Sequence, residues 1–216
     1  MNLRASMTAG VARQLAQPQG VRGRLVGAML NRTNRAAVSA AVKALPLTAG
    51  DSVADLGFGG GIGLDLLLRR VRPIGHVDGV DMSGTMLSHA AHRFRRDVAS
   101  GRLRLHAASM TQLPLADDSL DGAITLNTIY FIDELDLAFA ELARVTKRSG
   151  RVVIGIGDPD AMARSPLAAH NFRLRPLREV IDLLQNAGLT VEEQRRVGNG
   201  DRVVHLLVAK PRQSAI

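Results

Sequence analysis

At 216 residues, with 46% hydrophobic and 22% charged side chains, the chain fits one α/β domain with a full core and shows no sign of disorder. It has no cysteine, which excludes disulfides, thiol catalysis and cysteine-ligated metals, and no apolar run of about eighteen residues that would span a membrane. A formal charge of +8 could attract nucleic acid or an anionic substrate, but 3% aromatic content, no tryptophan and a single tyrosine, Tyr130, argue against stacking on single strands.

Residues 1–20 are small and polar, without the hydrophobic core of a signal peptide, so a cytoplasmic location is expected. Gln17-Pro18-Gln19-Gly20 breaks this stretch from a predicted helix over Gly23 to Leu45, which the polar run from Asn31 to Arg35 interrupts. Residues 1–45 are expected to pack on the sheet edge or to cap the ligand as a helical lid, with Arg13 and Arg35 available to a carboxylate. Residues 46–216 form the main domain. There, strands are predicted at 51–56, 76–80, 102–106 and 120–126. A helix begins at Ile62 and ends at Arg70, and a second, capped by Ser83, reaches about Val98. An amphipathic helix follows from Asp133 to Lys147, with Ser149-Gly150 as its stop, and then an apolar strand from Arg151 to Ile156. A helix from Pro176 ends near Gly188. Two closing strands, 189–197 and 202–209, are joined by the hairpin turn Gly198-Asn199-Gly200-Asp201.

The stretch Val53 to Gly63 organises this alternation. An apolar strand runs into Gly57-Phe58-Gly59-Gly60-Gly61 and then into a helix N-terminus, an order that makes a nucleotide-type cradle. Gly57, Gly59 and Gly61 allow a sharp turn and bring bare backbone against a ligand. Asp55 precedes the turn, where a phosphate binder would rarely place negative charge. Asp81 ends the second strand, where dinucleotide-type folds place a ribose-binding acid. Acids at both points suit a ligand with a cationic end and a ribose diol, which describes S-adenosyl-L-methionine better than NAD.

At these residues the chain resembles the class I S-adenosylmethionine-dependent methyltransferases of the type 11, ubiquinone-methyltransferase-like group. The resemblance runs from about Asp51 to Lys210. It rests on Asp55-Leu56-Gly57-Phe58-Gly59-Gly60-Gly61, on Gly79-Val80-Asp81-Met82-Ser83 with Met86-Leu87, on Leu113-Pro114-Leu115 with Asp117 to Asp121, and on Ser149-Gly150-Arg151. It implies a Rossmann-like α/β fold whose seven-stranded sheet is mostly parallel, with an antiparallel last strand. It also implies that Asp55 holds the methionine ammonium and that Gly57, Phe58, Gly59 and Gly61 form the cradle beneath it. Asp81 would accept the ribose hydroxyls, Met82 would pack on adenine, and Asn127 would line the floor beside the methyl. Many relatives have an acid where this chain has Ser109-Met110, so adenine recognition would fall to the Ser109 hydroxyl or the Met110 backbone. Arg13-Gln14-Leu15 with Gln17-Pro18, Asn127-Thr128-Ile129-Tyr130 and Gly157-Asp158-Pro159-Asp160 also resemble mycobacterial sugar methyltransferases that cap the anomeric hydroxyl of methylmannose oligosaccharides.

The expected reaction is methyl transfer to a small-molecule acceptor, with S-adenosyl-L-homocysteine as product. Relatives that methylate planar amines carry prolines after the fourth strand; Asn127-Thr128-Ile129-Tyr130 has none, which favours oxygen or carbon. His170 is the first candidate base because an imidazole titrates near neutrality, and Tyr130 and Glu134 are further candidates near the reacting atoms. A helix-dipole role is the competing structural reading for Glu134; Asp158 with Asp160 could help bind magnesium, against which a plain Pro-containing acidic turn is preferred. His76, His89, His92, His106 and His205 form no recognisable metal set. O-methylation of a hydroxyl is preferred. C-methylation of a quinone, polyketide or lipid-type acceptor, an RNA substrate and a catalytically lapsed cofactor-binding protein are the alternatives. A homodimer is compatible with the chain, and nucleic acid is the less expected partner.

Overall fold

A computed structural model describes residues 34–164 and 172–212. Helix α1 (34–44) leads into β1 (Ser52–Leu56), α2 (Ile62–Arg70), β2 (His76–Asp81), α3 (Gly84–Arg93), α4 (Arg95–Ala99), β3 (Leu103–Ala107) and β4 (Leu120–Leu126). After a single 3₁₀ turn come α5 (Leu135–Val145), β5 (Thr146–Gly157), α6 (Pro159–Ala163), α7 (Leu177–Asn186), β6 (Leu189–Val197) and β7 (Val204–Pro211). The strands form one sheet in the order β3-β2-β1-β4-β5-β7-β6, in which β7 runs antiparallel to both β5 and β6. No helix among the described residues is long and apolar enough to cross a membrane.

The period-two pattern of the strands builds a core on each face. Val53 and Val77 face α1, α2 and α3, packing with Val38, Leu64 and Met86. Ala54, Leu56 and Ile154 face α5 and α7, packing with Phe139, Leu142 and Val180. Strand order reverses between β1, paired through Asp55 to Ile124 of β4, and β2 on its other side. The carboxyl ends of the strands therefore open a crevice at this switch point. The described part of the expected N-terminal cap is α1, whose Val38, Ala41 and Val42 are buried in the same core as Val53. It is fixed to the domain; residues 1–33 lie outside the described residues.

Three boundaries differ from the sequence expectations. The helix after Asp133 ends at Val145, and β5 begins at Thr146, whose hydroxyl donates to the Leu142 carbonyl at 2.6 Å. Pairing of β4 with β5 skips from Leu120–Thr146 to Gly122–Arg151, and Gly150 lies so close to the Leu120 carbonyl that a Cβ would stand 2.8 Å from it. Gly150 thus serves an irregular strand crossing and is not a helix stop. The helix predicted to run from Ser83 to Val98 breaks at Phe94, whose ring is buried near Gly61. The turn between the last two strands contains a 3₁₀ turn at Gly200–Arg202, which delays β7 to Val204.

The connection between β3 and β4 holds no helix, and Leu113 to Asp117 is anchored from α5. Arg144 donates to the carbonyls of Leu113 and Leu115 and to the Asp117 carboxylate at 3.1, 2.8 and 2.6 Å. Glu141 completes the clamp by accepting the Leu113 N–H at 2.7 Å and pairing with Arg144. The guanidinium bonds hold the Glu141 carboxyl below its ordinary range.

Candidate active site

The turn after β1 is shaped by backbone contacts. The Gly57 N–H donates to the Val80 carbonyl at 2.7 Å, and its φ of 72° is open to glycine at little cost. The Gly59 N–H donates to Asp81 Oδ2 at 2.9 Å while Ser83 N–H donates to Oδ1 at 2.8 Å. Two amides from different elements thus aim one carboxylate into the crevice, and its remaining lone pairs can accept from a diol. Burial raises the Asp81 pKa, and those two amides oppose the rise.

Asp55 is buried beneath this turn. A Cβ on Gly63, in the first turn of α2, would collide with its carboxylate. Desolvation, with the Asp81 charge adding to it, pushes the Asp55 pKa up to about 8, against a backbone hydrogen bond from Leu64. A buried acid in this condition favours a cationic ligand, whose charge would repay ionisation.

A cavity of about 620 Å³ runs from these acids past Met82, Ser109 and Asn127 to a second, aromatic end. That volume suits small ligands. At the far end Tyr130, Phe131 and Phe172 gather, with ring centroids 6.3, 5.8 and 4.9 Å apart. Gly157 N–H donates to the Tyr130 hydroxyl at 2.6 Å, and that hydroxyl donates to Asn127 Oδ1 at 3.5 Å. Burial lifts the phenol well above its ordinary range, so it stays neutral and ties the loop after β4 to the end of β5. This geometry counts against Tyr130 as a base, its hydroxyl being engaged with Asn127 and Gly157.

Among the predicted residues, Asp55, Gly57, Phe58, Gly59, Asp81, Met82, Ser109, Met110, Asn127, Tyr130 and Glu134 line this one cavity. Gly61 does not; it caps α2 with φ 76°, facing the Phe94 ring. Ser109 is engaged with Thr111, whose hydroxyl and N–H meet its Oγ at 2.8 and 3.2 Å. The Met110 side chain is buried and accepts from the Thr125 hydroxyl. Met82, which also lines the cavity, is 68% exposed and offers an apolar face for a planar group. Arg35 is exposed and off the cavity wall, while Arg13 and His170 lie outside the described residues. Asp158 is a helix cap: its Oδ1 accepts the Ala161 N–H at 3.0 Å and its Oδ2 pairs with His205 at 3.1 Å. Phe131, Phe172, Met162 and Arg202 also line the cavity and were not named from the sequence. Phe131 could have been found beside Tyr130; Phe172 and Arg202 carry no local signal.

Residues 54–154 match a family described as a methyltransferase domain. The chain is 32% identical over 108 residues to an arsenite methyltransferase of Halobacterium salinarum, covering 50% of this chain and 27% of that protein. It is 34% identical over 115 residues to the ubiquinone/menaquinone biosynthesis C-methyltransferase of Syntrophotalea carbinolica, covering 53% and 47%. The chain thus spans less than half the length of either relative. A methyltransferase solved in complex with the Haloferax volcanii Trm112 methyltransferase activator superposes with a TM-score of 0.75 over 100% of both chains, at 21% identity, a likeness of fold.

Proposed function

We propose that this chain, whose residues 54–154 match a methyltransferase-domain family, is a class I S-adenosylmethionine-dependent methyltransferase that methylates a hydroxyl oxygen on a small-molecule acceptor. The observation that carries the reading is the continuity of one cavity from the Asp55–Asp81 cradle to the Tyr130–Phe131–Phe172 wall. Such a cavity can seat a donor and a small acceptor end to end.

The cradle fits the cofactor on chemical grounds. Asp55 would meet the methionine ammonium, Asp81 the ribose hydroxyls and Met82 the adenine face, with Ser109 and the Met110 backbone at its edge. Bound there, the cofactor supplies an electrophilic methyl carbon on a sulfonium. The remaining work belongs to the chain. Asn127, whose φ of 56° is stabilised by its N–H bond to Gly155 at 2.8 Å, stands between the two ends. Tyr130 holds Asn127 and the end of β5 together. The hydroxyl proton would pass to His170, named on sequence grounds, or to Glu134, which lines the cavity. The apolar wall excludes water from the transfer.

Carbon methylation of an unsaturated acceptor is a second reading, supported by rings that can stack on a conjugated system and by the similarity to a quinone C-methyltransferase. Thermal unfolding with ligands and transfer of labelled methyl from the cofactor test the proposal. S-adenosyl-L-homocysteine should raise the Tm, NAD should not, and label should appear on a small hydroxylated acceptor. No rise would overturn the cofactor assignment. A rise without transfer to any acceptor would indicate a lapsed enzyme, and RNA binding that falls steeply with salt would favour the nucleic-acid alternative.

A further inference from the structure

The full chain has five phenylalanines, one tyrosine and no tryptophan. Three of these six rings converge at the acceptor end of one cavity. Phe139 serves the core, Phe94 packs near the glycine turn and Phe58 belongs to the cofactor end. The Tyr130, Phe131 and Phe172 rings come from two separate segments, and the Arg173 N–H to Tyr130 carbonyl bond at 3.0 Å holds those segments together. Phe131 and Phe172 are only partly buried, so their faces remain available. An aromatic-poor chain has gathered half its rings where a ligand's apolar body would lie.

Charge at this end is mixed: Asp133 and Glu134 also line the cavity, and Asp133 is paired with Arg173. Arg202, in the 3₁₀ turn before β7, is the one cation lining the cavity among the described residues. It is exposed, and among the described residues its guanidinium has no hydrogen-bond or ion-pair partner. Neighbouring arginines are occupied: Arg173 pairs with Asp133 at 2.8 Å, and Arg175 donates to the carbonyls of Ile129, Ile132 and Asp133. A guanidinium at the rim of an apolar cavity is suited to a planar or tetrahedral oxyanion, which its forked donors can meet at two points.

We propose that the acceptor is a small amphiphilic anion, with an apolar, unsaturated or ring-bearing body packed on Tyr130, Phe131 and Phe172 and a carboxylate or phosphate paired with Arg202. This rests on the methyl-transfer reading and specifies its substrate class. The rings supply affinity without fixing an orientation. Arg202 fixes the orientation by holding one end of the molecule at the rim, so the other end is presented toward Asn127 and the cofactor. A neutral polar sugar would leave the guanidinium unpaired and would cover the rings poorly.

Binding in the presence of saturating S-adenosyl-L-homocysteine tests this without requiring turnover. The probes are 4-hydroxycinnamate, geranyl phosphate and octanoate, each with its uncharged counterpart (the cinnamamide, geraniol and octanamide), and methyl α-mannoside as a polar control. Titration calorimetry gives each Kd. At least one anion should bind roughly tenfold or more tightly than its neutral partner. Arg202→Gln should erase that preference while S-adenosyl-L-homocysteine binding is retained, and Phe172→Ala should weaken both members of the pair. The carboxylate and phosphate arms identify which oxyanion is preferred. Equal binding of charged and neutral members, a preference that survives Arg202→Gln, selective binding of the mannoside, or S-adenosyl-L-homocysteine binding with no anion bound would each overturn the assignment. Failure of S-adenosyl-L-homocysteine itself to bind would instead remove the methyl-transfer reading beneath it.

Discussion

The two ends of the cavity are built on different principles. The cofactor end is assembled from two short stretches, 53–63 and 79–83, and its contacts are largely backbone amides meeting carbonyls and carboxylates, as with Gly57 on Val80 and Gly59 on Asp81. The acceptor end is assembled from side chains of the loop after β4, the segment before α7 and the β6–β7 hairpin. A ligand that never changes can be held by a turn that never changes. A ligand that differs between enzymes is met by loops, whose side chains can be exchanged without disturbing the sheet.

Changes at one end should therefore leave the other intact, and the largest expected departure concerns Asp55. Its folded-state pKa lies above its unfolded value, so the folded protein retains a proton that the unfolded chain releases between about pH 4 and 8. Stability of the ligand-free protein should fall as pH rises through that window, by on the order of a few kcal/mol. Asp55→Asn should flatten most of this slope in denaturant melts; an unchanged slope would remove Asp55 as its source. In the unsubstituted protein, S-adenosyl-L-homocysteine binding at pH 7 should release about one proton, read by calorimetry in buffers of different ionisation enthalpy.

Asp81→Ala comes next. Loss of a charge-assisted acceptor should weaken S-adenosyl-L-homocysteine binding by about 100-fold, with anion binding at the aromatic end unaltered once S-adenosyl-L-homocysteine is saturating. Unaltered affinity would contradict the ribose assignment. Gly63→Ala should cost about 1–3 kcal/mol in chemical denaturation, because its Cβ would press on the Asp55 carboxylate and stand 2.9 Å from Ile124 Cδ1. The smallest effect is expected at the other end. Tyr130→Phe leaves the Gly157 N–H without its acceptor, a loss of about 1–2 kcal/mol, and should lower turnover without moving cofactor affinity. A fall in cofactor affinity there would mean the two ends are coupled.

The same contrast explains what could be read from the sequence. Strands β1, β4 and β6 and helix α2 announce themselves through local periodicity and turn residues, and the glycine stretch with Asp55 and Asp81 encodes its cradle within thirty residues. Gly150 misleads because a glycine after an amphipathic helix signals a stop, whereas here it answers to Leu120 on a neighbouring strand. Phe94 interrupts a helix through a contact with the distant glycine turn. Phe172 and Arg202 reach the cavity only once the sheet order is set, since no periodicity links positions 130, 172 and 202.

Arg144 has a consequence well away from its own helix. The connection carrying Ser109 and Met110 is suspended, further along, from α5 by one guanidinium and its Glu141 companion. α5 is in turn seated in the interior through Phe139 and Leu142. On the proposed reading adenine selectivity would in this sense be borrowed: the seating of a helix on the back of the sheet would govern how firmly a nucleobase is framed at the front.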